Sequence, residues 1–549
     1  MKTKLFPILL GCAFAAFPLY SQVQSCDPPQ AAPQRFDLLD FKLLMHRDGN
    51  LWALYEQEDY EWYSASGGLW ISAQTPDQTL RVAAHTNAGN VMPGDFWPGP
   101  LMDDGFPNLD WCPLFDRIWK ISRQEIDAFV SDWEDNQQLD NPVPEVILSW
   151  PGSGNPYYLQ QYLIALPQGS LAPFFDRNAN QIYEPLLGDF PLIKGDAALW
   201  KMINDAAGPH IETQALPLRV QLKVMAYTFD NADPLLSNTI FYNISIQNKN
   251  PEPLHDLRAG IWMDDDLECP YWRRWTVFPD KNLAYFFNLF EPGDTCGGIP
   301  PGLIQEWNHW LGVKLLQSPL PPDTVFHSKI SGLSYYKHSS FGNPQPGVSN
   351  PNIDMEYYRY LTNYWRDGSP FTYGGDGYQT GDPYPFTLPD PLHDTIGWSA
   401  CTAEWPDYLL HTLMNIPLGD FAPGERKSFD LAFFQIPEPA TLCEEPLQLA
   451  GPGDALQEFW EEQVVATTDR NATNSDIFVF PNPAAGAFTV RCPEGPVHWR
   501  VWDMQGKLAA AGESQGPVFE VPAEEWHPGL YALEVRIKAG SAVVKMVIQ

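Results

Sequence analysis

A chain of 549 residues is too long for one core and falls in the range of about three or four domains. An apolar fraction of 44% with 14% aromatic residues excludes wholesale disorder, while 54 prolines keep helices short and loops many. The balance of 33 basic against 68 acidic residues, a net charge of -35, repels phosphate backbones and anionic membranes, so no nucleic acid partner is expected and divalent cations fit better.

Residues 1–21 open with Lys2 and Lys4, continue as an apolar run from Leu5 to Tyr20 and close on the small residue Ser21. That is the layout of a cleavable secretory signal peptide, and Pro7 and Pro18 weigh against a buried helix. Cys12 and Cys26 raise a lipoprotein alternative, but Cys12 leaves almost no apolar core before it and the polar Gln24 sits awkwardly before Ser25 and Cys26. No later stretch reaches the roughly 18 consecutive apolar residues of a membrane helix, so no transmembrane span is expected after signal removal. Export permits disulfides. Among the remaining seven cysteines, Cys269–Cys296 and Cys401–Cys443 pair plausibly only as sequence neighbours, and the odd count leaves at least one thiol unpaired or intermolecular.

Residues 22–466 read as the exported cargo region, mainly β. Ser122-Arg-Gln-Glu125 is a capping box, and Ile126, Phe129, Val130 and Trp133 recur at helical spacing, which predicts a helix over 123–135. Asp196 is expected to cap a shorter helix through Ile203. Period two then takes over: Leu218–Phe229, Thr239–Gln247 and Ser428–Phe434 alternate as strands between Pro- and Gly-rich loops. A second box, Asp454 to Gln457, is expected to open a helix carrying Leu456, Phe459, Trp460 and Val464. The fold class is therefore an antiparallel β-sandwich-like cargo with a few short helices, with a sub-boundary expected near 165–175.

The strongest candidate site is Asp176-Arg-Asn178-Ala-Asn180-Gln-Ile182-Tyr-Glu184. Oxygen side chains at positions 1, 3 and 5 of a tight loop, with a backbone carbonyl at 7, form the first half of a calcium cage. The metal set expected is Asp176, Asn178, Asn180, Ile182, Glu184 and Asp189, the last supplying the carboxylate that Leu187 cannot; Gln181 stands where the EF-hand has its turn glycine. The competing reading is an Asx-rich turn that bonds its own backbone. Asp264, Asp265, Asp266 and Glu268 form the densest acidic cluster and are expected to be a solvated loop after a strand, rather than a second cation site or a glycosidase carboxylate. Gly374 to Tyr378, near Tyr364 and Trp365, is a candidate aromatic platform for a saccharide, or a packed cover. The sequence carries no HExxH, GxSxG, P-loop or GxGxxG, and no catalytic residue or organic cofactor is assigned.

Thr467 to Ser475 is polar and small, a linker over 467–475. Beyond it, Asp476–Phe480, Ala487–Arg491, Val497–Asp503, Val518–Val521, Leu530–Ile537 and Ala542–Ile548 are short alternating runs, the pattern of a small Ig-like β-sandwich. With 8 acidic and 6 basic residues this tail is nearly neutral, so the net charge resides in the cargo.

Phe-Pro-Asn-Pro-Ala-Ala-Gly (480–486), Val501-Trp-Asp503 with Gly506-Lys507, Pro528-Gly-Leu-Tyr531 and Val544-Lys-Met-Val547 together resemble the type A C-terminal sorting domain of type IX secretion. The resemblance implies that the type IX machinery recognises residues 476–549 and carries the chain across the outer membrane. Ser66-Gly-Gly-Leu-Trp-Ile71, Asp95-Phe-Trp-Pro-Gly-Pro-Leu101, Phe115 to Arg123 and Glu356 to Leu361 are similar to a family of large exported proteins that carry the same tail. The reading is an exported cell-surface or extracellular protein with a non-catalytic structural or adhesive role, Ca2+-stabilised, with a glycan or other surface partner. A secreted glycan-active hydrolase or carbohydrate-binding protein is the alternative.

Overall fold

The alternating run at 218–229 folds as the strand Val220–Thr228, which pairs antiparallel with Thr239–Asn248, and that strand pairs with Arg426–Pro437. The structure, a computed structural model, describes residues 25–548 apart from 31, 38–42, 47, 57–62, 87–93, 170, 267–272, 289–308, 320–328, 339–344, 391, 393–396, 404–408, 438–448, 463–477, 481–486, 493–496, 504–507, 517, 524–525, 527–528 and 538–539. The expected signal at 1–21 and linker at 467–475 lie outside the described residues.

The three strands above belong to a nine-stranded antiparallel sheet. Its order is Arg273–Phe278, Leu283–Asn288, His309–Gln317, Arg426–Pro437, Thr239–Asn248, Val220–Thr228, Ala197–Asn204, Trp97–Pro98, with Trp119–Ser122 also on Ala197–Asn204. An eight-stranded sheet runs Gln34–Arg35, Leu43–Met45, Asn50–Glu56, Tyr63–Gln74, Leu254–Asp266, Leu410–Phe421, Gly332–Lys337, with Leu80–Ala84 on Tyr63–Gln74. The two face each other: Trp52 stacks on Phe433 at 4.5 Å, and the Tyr242 hydroxyl donates to the Leu51 carbonyl at 3.1 Å. A β-sandwich is the result, as alternation predicts.

One polar tie crosses that interface. Lys201 is 1% exposed, and its Nζ donates to the carbonyls of His46 and Asp48, both at 2.7 Å, and of Asn50. Burial pushes its pKa down to about 7, opposed by the Asp48 carboxylate. Three carbonyl acceptors match the three hydrogens of an ammonium, which offsets part of the desolvation cost. A second tie anchors the segment Asp95–Leu101. The fully buried Asp95 accepts from the backbone N–H groups of Ala84, Glu212 and Thr213 and from the Thr213 hydroxyl.

The helix Arg123–Asn136 has the expected capping box, with Ser122 and Glu125 satisfying each other's backbone amides. Two other expectations are corrected. Ala197–Asn204 is a central strand, not a helix capped by Asp196; all eight residues are buried, so no alternation marks it. The last cargo helix starts at Ala450 rather than after Asp454, because Pro452 falls in the first turn, where its missing N–H costs nothing. That helix covers the nine-stranded sheet: the Trp460 indole donates to the Tyr227 hydroxyl at 3.1 Å.

A buried cluster extends from Phe36 to Trp460 and includes Leu166, Leu171 and Ala172, within the expected sub-boundary at 165–175. Cys26 and Cys112 form a disulfide that sequence adjacency did not indicate. Cys401 is also disulfide-bonded, while Cys269, Cys296 and Cys443 lie outside the described residues; Cys492 is buried and free. The tail has its own core, with Phe488, Val490, Val501, Leu533 and Val535 inside two antiparallel sheets of three and four strands. Leu508–Ser514 is the strand its sequence hides, since Leu-Ala-Ala-Ala-Gly carries no large alternating apolar residues.

Candidate functional site

Three neighbouring strands of the eight-stranded sheet each deliver a pair of side chains two residues apart, and so on one face. Leu254–Asp266 supplies Trp262 and Asp264; Gly332–Lys337 and the residue after it supply Tyr336 and His338; Leu410–Phe421 and the residue before it supply His411 and Leu409. Register brings Tyr336 opposite His411. Part of this face is covered by the helix Asp354–Leu361, through Tyr357 against Trp70 at 4.7 Å and Tyr360 against Tyr336 at 5.2 Å. Gly260 permits that approach, because a Cβ there would stand 2.6 Å from Leu361 Cδ2. Beyond the helix the face remains uncovered as a cavity of about 140 Å³, closed at its sides by Thr86 and Asn350.

Inside it, the His411 ring is stacked between Trp262, centroids 5.2 Å apart, and Tyr336, 5.1 Å apart. The Trp262 indole N–H donates to the Tyr336 hydroxyl oxygen at 2.7 Å, which leaves the phenolic hydrogen to be given elsewhere. Asp264 accepts from Arg273 Nη2 at 2.8 Å and lies 3.7 Å from His411 Nδ1. Burial pushes His411 down to about 4 against the pull of Asp264, with Arg273 and His338 adding to the fall. Burial lowers His338 as well, again opposed by Asp264. For Asp264 burial acts upward, but His411 and Arg273 outweigh it and hold the carboxyl below its usual range.

A polar chain backs the cavity. The Thr86 hydroxyl donates to Glu212, whose pKa burial pushes up to about 7 against the influence of His85 and of Thr86. His85, 2% exposed, lies 3.7 Å from Asp48, and neither of its ring nitrogens makes a hydrogen bond among the described residues; nor does His411 Nδ1. Unsatisfied buried groups are rare in native proteins, and His411 Nδ1 is one that lines the cavity itself. Among the described residues, no three His, Cys, Asp or Glu side chains converge to hold a metal ion. The arrangement offers neutral imidazoles, a charge-balanced carboxylate, hydroxyls and an aromatic wall.

Asp264 thereby departs from the expected solvated loop. It lies within a strand, two residues before its end, and its carboxylate faces an arginine only 1% exposed. Asp265 and Asp266 continue the pairing opposite Ala65 and Ser64, and Glu268 lies outside the described residues. The sequence signal for the site is the spacing of Trp262 with Asp264, Tyr336 with His338 and Leu409 with His411. A search for histidine pairs at helical spacing passes over it.

The calcium candidates share one loop. Asp176 accepts the backbone N–H groups of Asn180 at 3.2 Å and Gln181 at 2.7 Å. Asn178 and Asn180 accept those of Asn180 and Ile182, while their side-chain amides both donate to Glu184 Oε2, at 3.2 and 2.6 Å. Asp189, fully buried, joins the loop's two arms by accepting from the Arg177 and Glu184 backbones, both at 2.8 Å, and burial raises its pKa. Gln181 takes φ 65°, so this position does demand the left-handed backbone that glycine adopts freely. At the other candidate platform, Trp365 is buried and stacks on Phe371 at 4.1 Å, Tyr378 donates to Asp367 at 2.7 Å, and Tyr364 is exposed.

Residues 478–549 match the secretion system C-terminal sorting domain, which supports the chain as type IX secretion cargo with a secreted or cell-surface destination. Among the described residues no helix is long and apolar enough to cross a membrane. No curated protein matches the chain in sequence. Among solved structures the chain is similar to a polysaccharide lyase, at 9% identity and a TM-score of 0.19, over 71% of this chain and 42% of the lyase. It is also similar to PorZ, an essential bacterial surface component of the type IX secretion system of Porphyromonas gingivalis, at 11% identity and a TM-score of 0.13, over 70% of this chain and 48% of PorZ. The chain thus spans less than half the length of either.

Proposed function

We propose that the protein is an exported cell-surface or extracellular β-sandwich with a structural or adhesive, non-catalytic role, stabilised by Ca2+ in the loop of residues 176–189. The observation that carries this reading is the sorting domain at 478–549 joined to a strongly acidic two-sheet cargo. The Cys26–Cys112 disulfide supports it, since such bonds persist in oxidising compartments. So does the size of the cavity, about 140 Å³, against the roughly 300–1,000 Å³ of pockets for larger ligands. For calcium, the support is a loop that gathers Asp176, Asn178, Asn180 and Glu184 within hydrogen-bonding reach of one another.

A second reading, a secreted glycan-active hydrolase or carbohydrate-binding protein, is favoured by the imidazole and carboxylate groups of the cavity. The experiment incubates the purified chain with immobilised polysaccharides and follows both retention and released saccharide. Retention without product is the expected result; steady release of reducing ends replaces the adhesive role with the hydrolase.

A further inference from the structure

We propose that the cavity between Trp262, Tyr336, His411 and Asn350 binds a single neutral sugar residue, the terminal unit of a glycan. The inference rests on the adhesive reading above and gives it a ligand and a location.

Four features of the cavity converge on that ligand class. Its charges are already matched: the Asp264 carboxylate is met by Arg273 at 2.8 Å, so a ligand carrying its own charge would enter a buried site without a counter-ion. Its polar lining is mixed, with Asp264, the Thr86 hydroxyl oxygen and the imidazoles of His338 and His411 as acceptors and the Tyr336 and Asn350 side chains as donors. A vicinal array of hydroxyls, each both donor and acceptor, satisfies such a lining better than an amine or an anion does. Leu409, half-buried, adds an apolar edge against which the C–H groups of a pyranose can lie, with the buried Trp262 ring behind the wall. Finally, about 140 Å³ is space for several waters or one small ring and excludes a chain lying lengthwise. Recognition is therefore of an end.

The site is held by the sheet and not by loops alone, since Trp262, Asp264, Tyr336 and His411 are strand residues in fixed register. The stacked Trp262–His411–Tyr336 layers and the indole-to-phenol hydrogen bond fix the wall before a ligand arrives, which limits the ordering cost of binding.

The test is saturation-transfer NMR on the full chain with methyl glucoside, methyl galactoside and N-acetylglucosamine as neutral probes and methyl glucuronide as the charged one. At about 10 mM a probe saturates a site with a Kd of about 1 mM. At least one neutral probe is expected to show transfer, with at least a tenfold weaker Kd in Asn350→Ala and in His411→Phe, the latter keeping the stack; near-UV circular dichroism confirms that both variants fold. No transfer to any neutral probe, or transfer to the glucuronide alone, overturns the proposal. Retention of the whole chain on immobilised polysaccharide unchanged in both variants also overturns this site while sparing the adhesive role. Loss of retention in the folded wild-type chain removes the adhesive reading itself.

Discussion

Replacing His411 by Phe should remove a component of acid sensitivity that the fold creates. The imidazole is 7% exposed, faces Asp264 and His338 from the two flanking chain segments of its own sheet and Arg273 from the first strand of the nine-stranded sheet, and titrates at about 4. In the unfolded chain it takes up its proton near 6.5. Between those two values the unfolded state binds more protons, so folding stability falls as pH drops from 6.5 towards 4 and levels off below. At 1.36 kcal/mol per pKa unit the gap is worth about 3 kcal/mol. Phe has a similar volume and keeps the ring between Trp262 and Tyr336, so stability at pH 7 should change by less than about 1.5 kcal/mol. Urea unfolding followed by tryptophan fluorescence at intervals from pH 7.5 to 4 measures the difference between the two proteins. The variant should lose about 3 kcal/mol less than wild type over that range. Parallel curves, with a constant difference at every pH, would refute the claim that burial keeps this histidine neutral.

Lys201→Met should cost about 3–5 kcal/mol, because three buried carbonyls lose their shared donor; a midpoint in urea unchanged from wild type would mean that the tie between the sheets is dispensable. Cys26→Ser opens a crosslink spanning 86 residues and should lower stability by up to about 4–5 kcal/mol, read as a fall in Tm; an unchanged Tm would mean that the crosslink does not stabilise the fold. Millimolar Ca2+ should raise the Tm of the mature chain, the added stability reaching about 2.7 kcal/mol at a hundredfold excess over Kd, and EDTA should remove the effect. Asp176→Ala should abolish that shift; a wild-type Tm indifferent to Ca2+ and EDTA would leave the segment a self-bonded Asx turn.

The parts of the fold legible in the sequence are those where one face is buried and the other is not. The alternation over Thr239–Gln247 marks the strand Thr239–Asn248 to within a residue, and the Ser122 box shows both partners of the reciprocal hydrogen bonds. Ala197–Asn204 was hidden because it is buried on both faces, where helix and strand look alike over eight residues. The calcium candidates were legible as a local string of oxygen side chains, and the structure does fold them into one loop. The cavity was not, because its members come from three strands: Trp262 and Tyr336 are 74 residues apart in the chain and joined by a hydrogen bond that only sheet order creates. Asp264 illustrates the loss most clearly. Its run of three aspartates reads as solvated charge until Arg273, nine residues further along the chain, is brought against it.

The central claim is that a separately folded tail addresses an otherwise independent β-sandwich to the outside of the cell. Its own core supports that independence. The direct measurement is fractionation of cells producing the full chain or a chain ending at residue 475, with protease resistance as the measure of folding. The account predicts the full chain outside the cell or on its surface, and the shortened chain folded, protease-resistant and confined to the periplasm. Appearance of the shortened chain outside the cell at the full chain's level would contradict it.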